Sequence, residues 1–409
     1  MIPRVLSFNN EVDIIREMKD IKVDDYGIKI MTPKADSYVV KMDKVSSIAA
    51  NILKQEMLSI GGDVAISRNS ITGRDKHTGC LVIGNLTQLN RLAHKLEKQP
   101  FRLGEIGSTL QKSISDYSKV GSIVKCRNHT LRTGKKTLIM GIINVTSDSF
   151  SGDGLLKFGH ATEQKAIVQM VLQKAERMVE EGVDIFDIGA ESSRPGAAPI
   201  SAKDEMMRLV PCVGALTKRF KVPVSVDTHK PQTVRAVLDA GASIINDITG
   251  LKDPKVKRLI ASYRAGTIIM HMKGNPRTMQ KNPTYTSLIS DIISFLKNAI
   301  DSALDYGIPE RNIIIDPGVG FGKTVSHNLE LIRRLKEFKV LGRPILLGAS
   351  RKSFIGKVLG VDVGERIFGS AAAVALSIKE GADIVRVHDI KQMRDVALLS
   401  DAIYRGNKE

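Results

Sequence analysis

Eight short apolar runs, each separated from the next by a longer amphipathic segment, fill the last two-thirds of this 409-residue chain. The runs cover residues 137–145, 184–190, 223–228, 243–249, 266–272, 312–318, 344–350 and 383–389. Apolar, β-branched runs of this length are typical of parallel strands that are buried on both faces. Their alternation with helical segments over about 270 residues predicts a (β/α)8 TIM barrel, with an open doubly wound sheet as the alternative because periodicity cannot show closure.

Glycines mark the predicted ends of the intervening helices. A glycine just past a helix readily accepts the left-handed backbone conformation that ends many helices. Five glycines lie between an amphipathic segment and the next apolar run: Gly182, Gly241, Gly266, Gly307 and Gly381. Ser201, three residues before Asp204, predicts the beginning of the helix that ends near Phe220.

The first third of the chain predicts a small α/β domain over residues 1–120, followed by the barrel domain over residues 121–409. Its predicted elements are a helix at 46–62, strands at 63–67 and 80–85, and a helix at 87–99 with Thr87 as its N-cap. Residues 123–132 predict a hairpin that plugs the bottom of the barrel. The small domain has no motif with an assignable chemistry, so we expect it to serve packing or dimer formation.

The formal net charge is strongly basic, at +17 with a pI near 9.7. Lysine and arginine outnumber aspartate and glutamate both before and after residue 130, so the chain has no separate basic arm for nucleic acid. Aromatic residues make up 4% of the chain and tryptophan is absent, which disfavours a base-stacking surface. We therefore expect no nucleic-acid partner, and we interpret the charge as a solvated surface that attracts anionic substrates.

Residues 1–18 mix charged with apolar positions, and nowhere do about eighteen apolar residues run together. We therefore expect neither secretion nor membrane association. The three cysteines, Cys80, Cys126 and Cys212, are far apart and form neither a CxxC pair nor a zinc-binding pattern. This cysteine usage favours a reducing, cytoplasmic location.

Polar residues cluster at the carboxyl ends of the predicted strands. They are Asn144, Asp187, Asp227, Asn246, Asp247, His271, Asp316, Ser350, Arg351, Lys352, Arg386, His388 and Asp389. Enzymes with this type of barrel carry their active sites at that end of the strands. For Asp187 we favour a hydrogen-bonded core group. The remaining residues together predict a site for a polar, anionic ligand.

Eight segments that follow or include these strands form an ordered set of motifs. They read MGIINVTSDSFSGDG (140–154), DIGAESSRPGA (187–197), SVDTHKP (225–231), GASIINDITG (241–250), MHMKGNPRTMQ (270–280), DPGVGFGKT (316–324), GASRKSFIG (348–356) and RVHD (386–389). In this order they resemble the motifs of the dihydropteroate synthases, over residues 135–391. Ser147 departs from the proline usual in that family, and Ser193 departs from threonine. Residues 1–120 resemble an N-terminal extension of some members.

The resemblance implies a transferase of folate biosynthesis that condenses 6-hydroxymethyl-7,8-dihydropterin pyrophosphate with 4-aminobenzoate. Asp227, Asn246 and Asp316 match pterin-binding residues, and their acceptor oxygens suit the donor-rich edge of a 2-amino-4-oxo-pteridine. Lys352 would contact the carbonyl side of the pterin, and Met270 belongs to the same pocket. The implied catalytic residues are Asp148, Asp227, Asp316 and Lys352.

The resemblance also implies the sites for the other two groups. The pyrophosphate contacts would be Asn144, Ser193, Arg194, Arg386 and His388, and Asn144 would hold a Mg²⁺ cofactor. The aminobenzoate contacts would be Arg194, Pro195, Phe321, Ser350 and Lys352. No strong general base is expected, because the arylamine is a neutral nucleophile and loss of pyrophosphate can run ahead of its attack. We expect a homodimer.

Three other functions are disfavoured by these motifs. A nucleotide-binding P-loop requires a glycine where this chain has Pro317, so DPGVGFGKT implies no nucleotide. A pterin-binding methyltransferase on a similar barrel would lack the SRKS and RVHD motifs, which are both present. A pterin-binding protein without activity would be expected to have lost Asn144, Asp227 or Lys352, and all three are present.

Overall fold

The computed structural model of the chain has two compact units, Met1–Asp116 and Tyr117–Glu409. The structure describes residues 2–8, 11–145, 161–191, 199–276 and 278–405. Within these ranges, no helix combines the length and the apolar character needed to span a membrane.

The first unit contains a three-stranded antiparallel sheet with the strand order β1-β3-β2. The strands are β1 (Ser37–Ser46), β2 (Asp63–Ile66) and β3 (His77–Asn85), and the helices are α1 (Glu11–Asp20), α2 (Asp25–Ala35), α3 (Ser47–Leu58), α4 (Arg68–Ile71), α5 (Leu86–Leu96) and α6 (Leu103–Ser118). Alternate residues of β3 are buried, because successive side chains of a strand point to opposite faces. The buried face packs against α3 and α5 around Leu53, Val82 and Leu89.

The cap of α5 differs from the prediction. Asn85, and not Thr87, is its N-cap: the Asn85 side chain accepts a hydrogen bond from the backbone N–H of Gln88, and the Gln88 side chain accepts one from the N–H of Asn85. This reciprocal pair satisfies two backbone donors at the beginning of the helix. Strand β1 and the helices α1, α2, α4 and α6 were not predicted from the sequence.

The second unit is the predicted TIM barrel. Its eight parallel strands are β6 (Leu138–Asn144), β7 (Ile185–Gly189), β8 (Val224–Asp227), β9 (Ile244–Asp247), β10 (Gly266–Met270), β11 (Ile313–Asp316), β12 (Leu346–Leu347) and β13 (Ile384–Val387), in the order β11-β10-β9-β8-β7-β6-β13-β12. The ring closes where Ile315 of β11 pairs in parallel with Ile345, the residue before β12. The backbone N–H of Ile315 also donates to the carbonyl of Pro344 at 3.0 Å. Closure excludes the open doubly wound sheet.

Each strand is followed along the chain by at least one helix. These are α7 (Ala161–Glu180), α8 (Ala202–Arg219), α9 (Pro231–Asp239), α10 (Pro254–Tyr263), α11 (Leu288–Asp305), α12 (Val325–Arg333), α13 (Ser353–Leu359), α14 (Ile367–Lys379) and α15 (Ile390–Arg405), with 3-10 turns at Glu310–Asn312, Leu335–Leu341 and Val363–Glu365. Four predicted glycine stops adopt positive φ, but Gly266 was a wrong prediction. It is the first residue of β10, and Arg264 takes the left-handed cap position with φ 51°.

The predicted hairpin precedes the barrel and closes its amino-terminal end. It consists of β4 (Ile123–Cys126) and β5 (His129–Arg132), which are paired antiparallel. Val124, Cys126 and Leu131 are buried in one cluster with the first residues of several barrel strands, among them Leu138 and Ile185. The opposite end, where the strands finish, is left for the polar residues.

Candidate active site

The strand register places three predicted site residues at one level of the barrel mouth. Asn144 is paired with Gly189, Gly189 with Asp227, and Asp227 with Asn246. A Cβ atom on Gly189 would lie 3.3 Å from the Cβ of Asp227, so the glycine leaves space beside that carboxyl group. Residues that are far apart in the sequence are therefore neighbours at the ends of consecutive strands.

Arg386 is held between two carboxylates at this mouth. Its Nε donates a hydrogen bond to Oδ2 of Asp187 at 2.6 Å, and its Nη2 lies 3.4 Å from Oδ2 of Asp227. Asp187 is fully buried and also accepts a hydrogen bond from Oγ of Ser225 at 2.7 Å, while Nδ2 of Asn246 lies 3.4 Å from its Oδ2. The buried charge of Asp187 is thus compensated by a cation and by hydrogen bonds. This arrangement fixes the direction of the guanidinium group.

Burial raises the pKa values of two acidic side chains at the mouth. Burial raises the pKa of Asp227 to about 7, against the opposing effect of Arg386. Burial also raises the pKa of Asp316 to about 6, although the N–H of Gly318 donates to this carboxylate at 2.7 Å and Lys352 is nearby. A ligand that supplies hydrogen-bond donors would stabilise both carboxylates.

Lys352 stands between an aromatic ring and these acidic groups. Its Nζ lies 4.2 Å from the centroid of the Phe321 ring, which is a cation–π contact. Burial and the nearby Arg386 lower the pKa of Lys352 to about 8, with Asp316 opposing the shift. A Cβ atom on Gly320, whose φ is +83°, would lie 3.2 Å from Cδ of Lys352, so glycine lets the lysine pass close to the backbone. The arrangement combines a cation and an apolar wall.

Ser350 and His388 are in direct contact. The Ser350 hydroxyl lies 3.1 Å from Nδ1 of His388 and accepts a hydrogen bond from the His388 backbone N–H at 3.3 Å. Burial, Arg386 and Arg351 together lower the pKa of His388 to about 4. The imidazole is therefore neutral near pH 7 and offers hydrogen bonds rather than charge. Positive charge at the mouth comes from Arg386 and Lys352.

A second buried charged network lies beside Asp227. Glu205 accepts hydrogen bonds from the hydroxyls of Thr228 and Thr233, at 3.1 and 2.6 Å, and lies 3.5 Å from Nζ of Lys230. Lys230 also forms an ion pair with Glu191, which follows β7. This network ties the segment after β7 to the segment after β8.

Two residues of the site were missed by the sequence analysis in different ways. Asp187 is a hydrogen-bonded core group, as expected, but it is also the group that orients Arg386. No sequence pattern indicates which buried carboxylate pairs with an arginine 199 positions away. Lys323 is buried beside the loop after β11, whereas the sequence analysis gave roles to Asp316 and Phe321 of the same motif and none to this lysine. Its position after three alternating glycines could have drawn attention to it.

Several predicted residues lie outside the described residues: Asp148, Ser193, Arg194 and Pro195. Asn144 is described and ends β6. The described ranges contain no group of three or more His, Cys, Asp or Glu side chains that could hold a metal ion. Asn144 remains the predicted metal ligand.

Residues 140–388 match the family model described as pterin binding enzyme. A dihydropteroate synthase from Synechocystis sp. is 42% identical over 274 residues, which are 66% of this chain and 92% of that protein. A probable bifunctional folylpolyglutamate synthase/dihydropteroate synthase from Halobacterium salinarum is 36% identical over 93% of this chain, which corresponds to 44% of its own length.

The solved structures agree with these sequence matches. The structure of Xanthomonas albilineans dihydropteroate synthase with 4-aminobenzoic acid is 36% identical, has a TM-score of 0.63, and is matched over 69% of this chain and 98% of its own. The match thus includes nearly the whole of that enzyme, and the family model extends from within β6 to the end of β13. The chain belongs to the pterin-binding enzyme family and, within it, to the dihydropteroate synthases.

Proposed function

We propose that the barrel mouth described above carries out the dihydropteroate synthase reaction of this chain. In that reaction 6-hydroxymethyl-7,8-dihydropterin pyrophosphate and 4-aminobenzoate give 7,8-dihydropteroate and pyrophosphate. The observation that carries the proposal is the juxtaposition of acceptors and cations at one end of the barrel. Asp227 and Asn246 are paired in register, and Arg386 lies within 3.4 Å of Asp227.

Asp227, Asn246 and Asp316 would bind the pterin. The ring offers several N–H donors on one edge, and ionised carboxylates accept such hydrogen bonds strongly. Lys352 would donate to the ring carbonyl. Met270 is paired with Asp316 in the strand register and is buried in a cluster with Phe321, so it would provide apolar contact.

Arg386, oriented by Asp187, would bind the pyrophosphate. The neutral imidazole of His388 would donate a hydrogen bond to the same group. Guanidinium groups match phosphate oxygens in pairs, and a fixed guanidinium needs little reorganisation as negative charge develops on the leaving group. Ser193 and Arg194 remain predicted contacts for the same group.

Asn144 fits a Mg²⁺ site in which the protein provides a single neutral oxygen. Mg²⁺ usually retains several water molecules and is bound through few protein ligands together with substrate phosphates. The position of Asn144 at the end of β6, one strand from β13, which carries Arg386, is consistent with that arrangement. When bound, Mg²⁺ would neutralise part of the pyrophosphate charge.

The reaction needs no strong base among these residues. The bond between the pterin methylene carbon and the pyrophosphate oxygen breaks with its electron pair leaving on oxygen, and the nearby carboxylates of Asp227 and Asp316 stabilise the resulting cation. The lone pair of the arylamine then forms the carbon–nitrogen bond, and the nitrogen releases one proton to solvent. Asp148 remains the predicted residue that would order the first loop over the cation.

The aminobenzoate would lie on the side of Phe321, Ser350 and Lys352. Phe321 offers a ring face, while the hydroxyl of Ser350 and the ammonium of Lys352 can hydrogen-bond a carboxylate. Arg194 and Pro195 remain predicted contacts.

Titration of wild-type protein with each substrate, with pyrophosphate release as the readout, tests the whole assignment. Release must require both substrates. Pterin binding without any release would instead indicate a protein that only binds pterin.

A homodimer would cover the exposed apolar surface of α14 and α15, which pack against each other. Phe368 is 84% exposed, and Leu376 lies on the same face two turns later. Leu399 and Ile403 form a similar row on α15. Such a contiguous apolar surface is unusual on a monomer, and a second copy offers the same two rows. Sedimentation of wild type and Phe368→Glu would test the homodimer: the variant should be monomeric.

Three free, buried cysteines also support a reducing cytoplasm as the location.

A further inference from the structure

We propose that Lys323 is a positioning residue of the aminobenzoate pocket: its buried ammonium group holds the loop between β11 and α12 so that Phe321 stands against Lys352. The inference rests on the proposed role of Phe321. It adds a residue that does not contact substrate but acts through one that does.

The contacts of Lys323 join two segments of the barrel mouth. Its Nζ donates to the carbonyl of Gly318 at 2.9 Å and to the carbonyl of Phe321 at 3.1 Å, and lies 3.0 Å from Nδ1 of His271. The first two groups are in its own loop, and His271 directly follows β10. Lys323 therefore connects the loop after β11, which contains Phe321, to His271 at the end of β10.

The three neighbours of Nζ match the three N–H donors of an ammonium group. His271 can accept through Nδ1 only when the ring is neutral, and burial together with Lys323 lowers its pKa to about 2. Lys323 is itself 2% exposed, and burial lowers its pKa to about 7 against the opposing effect of Asp316. The three contacts of Nζ, at 2.9 to 3.1 Å, fix the direction of the side chain, and the ammonium form has one donor for each of them.

The loop backbone is shaped to accept this tie. Gly318 has φ +74°, and a Cβ atom there would lie 1.9 Å from the carbonyl oxygen of His271, so only glycine allows the two segments to approach so closely. Further along, the side chain of Gln280 donates to the carbonyl of Gly320 at 2.8 Å, and Asn328 accepts from the Gly320 N–H at 2.7 Å. These contacts hold the glycines, whereas Lys323 holds the carbonyl of Phe321 itself.

Phe321 links the tie to the substrate pocket. Its ring is 8% exposed and lies 4.2 Å from Nζ of Lys352. Release of the Phe321 carbonyl would let this ring change its angle, which would alter the wall proposed for aminobenzoate. Asp316, at the end of β11, keeps its strand pairing with Met270 and its hydrogen bond from Gly318. The pterin side should therefore be affected less than the aminobenzoate side.

The experiment compares Lys323→Met with Lys357→Met as the control. Lys357 is an exposed lysine of α13, and both lysines line one surface depression. Steady-state kinetics with each substrate should show the KM for aminobenzoate raised about tenfold in Lys323→Met, with the KM for the pterin pyrophosphate within about twofold of wild type. Lys357→Met should match wild type in both. Equal losses for both substrates, or none, would overturn the proposal.

A double-mutant cycle with Phe321→Ala separates this inference from the proposed function. If Lys323 acts through Phe321, Lys323→Met should raise the KM for aminobenzoate much less in the Phe321→Ala background than in wild type. Additive effects would refute the positioning role. If Phe321→Ala alone leaves that KM unchanged, the assignment of Phe321 is wrong instead. Should Lys323→Met not fold, Lys323→Gln replaces it, and failure of both to fold would show a role in stability and refute the proposal.

Discussion

Asp187 and Arg386 form an ion pair across the interior of the barrel mouth, with 2.6 Å between Oδ2 and Nε. The strands that carry them, β7 and β13, are both neighbours of β6 but not of each other. The pair therefore spans the space above β6, the strand that ends at Asn144. Asp187 is inaccessible to solvent, so its proposed role is to hold Arg386 and Asn246 in place rather than to contact a ligand.

Asp187→Asn should destabilise the protein and slow turnover. Loss of one partner of a buried ion pair typically costs about 3–5 kcal/mol, because the other charge stays buried without compensation. The free energy of unfolding and kcat should both fall. Asp301→Asn, which breaks an exposed pair with Lys297, is the control, and surface pairs are worth at most about 1 kcal/mol. Wild-type values for both variants would show that Arg386 needs no anchor.

Asp227→Asn should fold but lose most of its condensation activity. The amide keeps the shape of the side chain yet removes the negative charge that would stabilise the pterin cation. Loss of one such preorganised group typically costs on the order of a hundredfold in rate. Stopped assays of dihydropteroate formation measure the effect, and circular dichroism checks the fold. Turnover near that of wild type would contradict the role of Asp227.

Pterin binding should weaken as the pH falls through the range from 7 to 6. The ionised forms of Asp227 and Asp316 accept the pterin donors, and their pKa values in the free protein are raised to about 7 and about 6. Binding selects the ionised forms, so each group lowers affinity by up to about tenfold per pH unit below its own pKa. Calorimetric titrations between pH 5 and 8 measure this dependence, which should be shallower in Asp227→Asn.

The stability of the ligand-free protein should depend on pH in the opposite direction from pterin binding. A carboxyl group whose folded pKa is raised stabilises the free protein at low pH, and this contribution is lost as the pH rises through the folded pKa. Asp227→Asn removes that loss at one position. The stability of the variant relative to wild type should therefore increase between pH 5 and 8. A constant difference across this range would show that Asp227 is not perturbed by burial.

Aminobenzoate should bind more tightly when Mg²⁺ and pyrophosphate are present. Ser350, a proposed aminobenzoate contact, touches His388, a proposed pyrophosphate contact, at 3.1 Å. Occupation of one site would therefore order a residue of the other, with a coupling free energy of about 1–3 kcal/mol. Calorimetry with and without Mg²⁺ and pyrophosphate gives the ratio of affinities, which Ser350→Ala should reduce. A ratio of one in wild type would mean that the two sites are independent.

A chain that begins at residue 117 should fold and bind pterin. Every described residue proposed for the site lies in the second unit, which has its own buried core. The expected loss is solubility rather than ligand affinity, because the proposed dimer surface on α14 and α15 also lies in the second unit. Calorimetric titration with a pterin measures the result. A truncated protein that is well folded yet binds no pterin would show that the first unit contributes to the site.

The barrel was predictable because all eight strands consist mainly of apolar residues and the segments between them have helical spacing. Their ends were less predictable. Residues 344–350 were predicted as one strand, yet only Leu346–Leu347 is paired as β12, because Ser350 and its neighbours turn away to build the mouth. Arg264 shows a second limit: a residue other than glycine can take the left-handed cap position when its surroundings compensate for the strain.

The members of the site could be predicted from the sequence, but the connections between them could not. Polar residues at strand ends are visible in the chain, and the register of a parallel sheet brings them together. Arg386 pairs with Asp187, and Lys323 donates to carbonyl groups of its own loop. Both contacts depend on distances that only the folded backbone defines. Asp187, Arg386 and Lys323 all lie within the eight ordered motifs, but their sequence positions do not show which groups they hold.

The short strand β12 makes one seam of the barrel weaker than the others. Between β11 and β12 the backbone pairing is limited to the bridge from Ile315 to Ile345, whereas β10 and β11 share four paired residues. Asp316 ends one side of this seam, and Lys352 follows the other. Transient separation of β11 and β12 would move Asp316 away from Lys352. It would also widen the opening through which a product leaves. The backbone N–H of Ile315 donates to the carbonyl of Pro344 across this seam. Deuterium uptake at Ile315 should therefore be faster than at Ile314, and a ligand that bridges the seam should slow it.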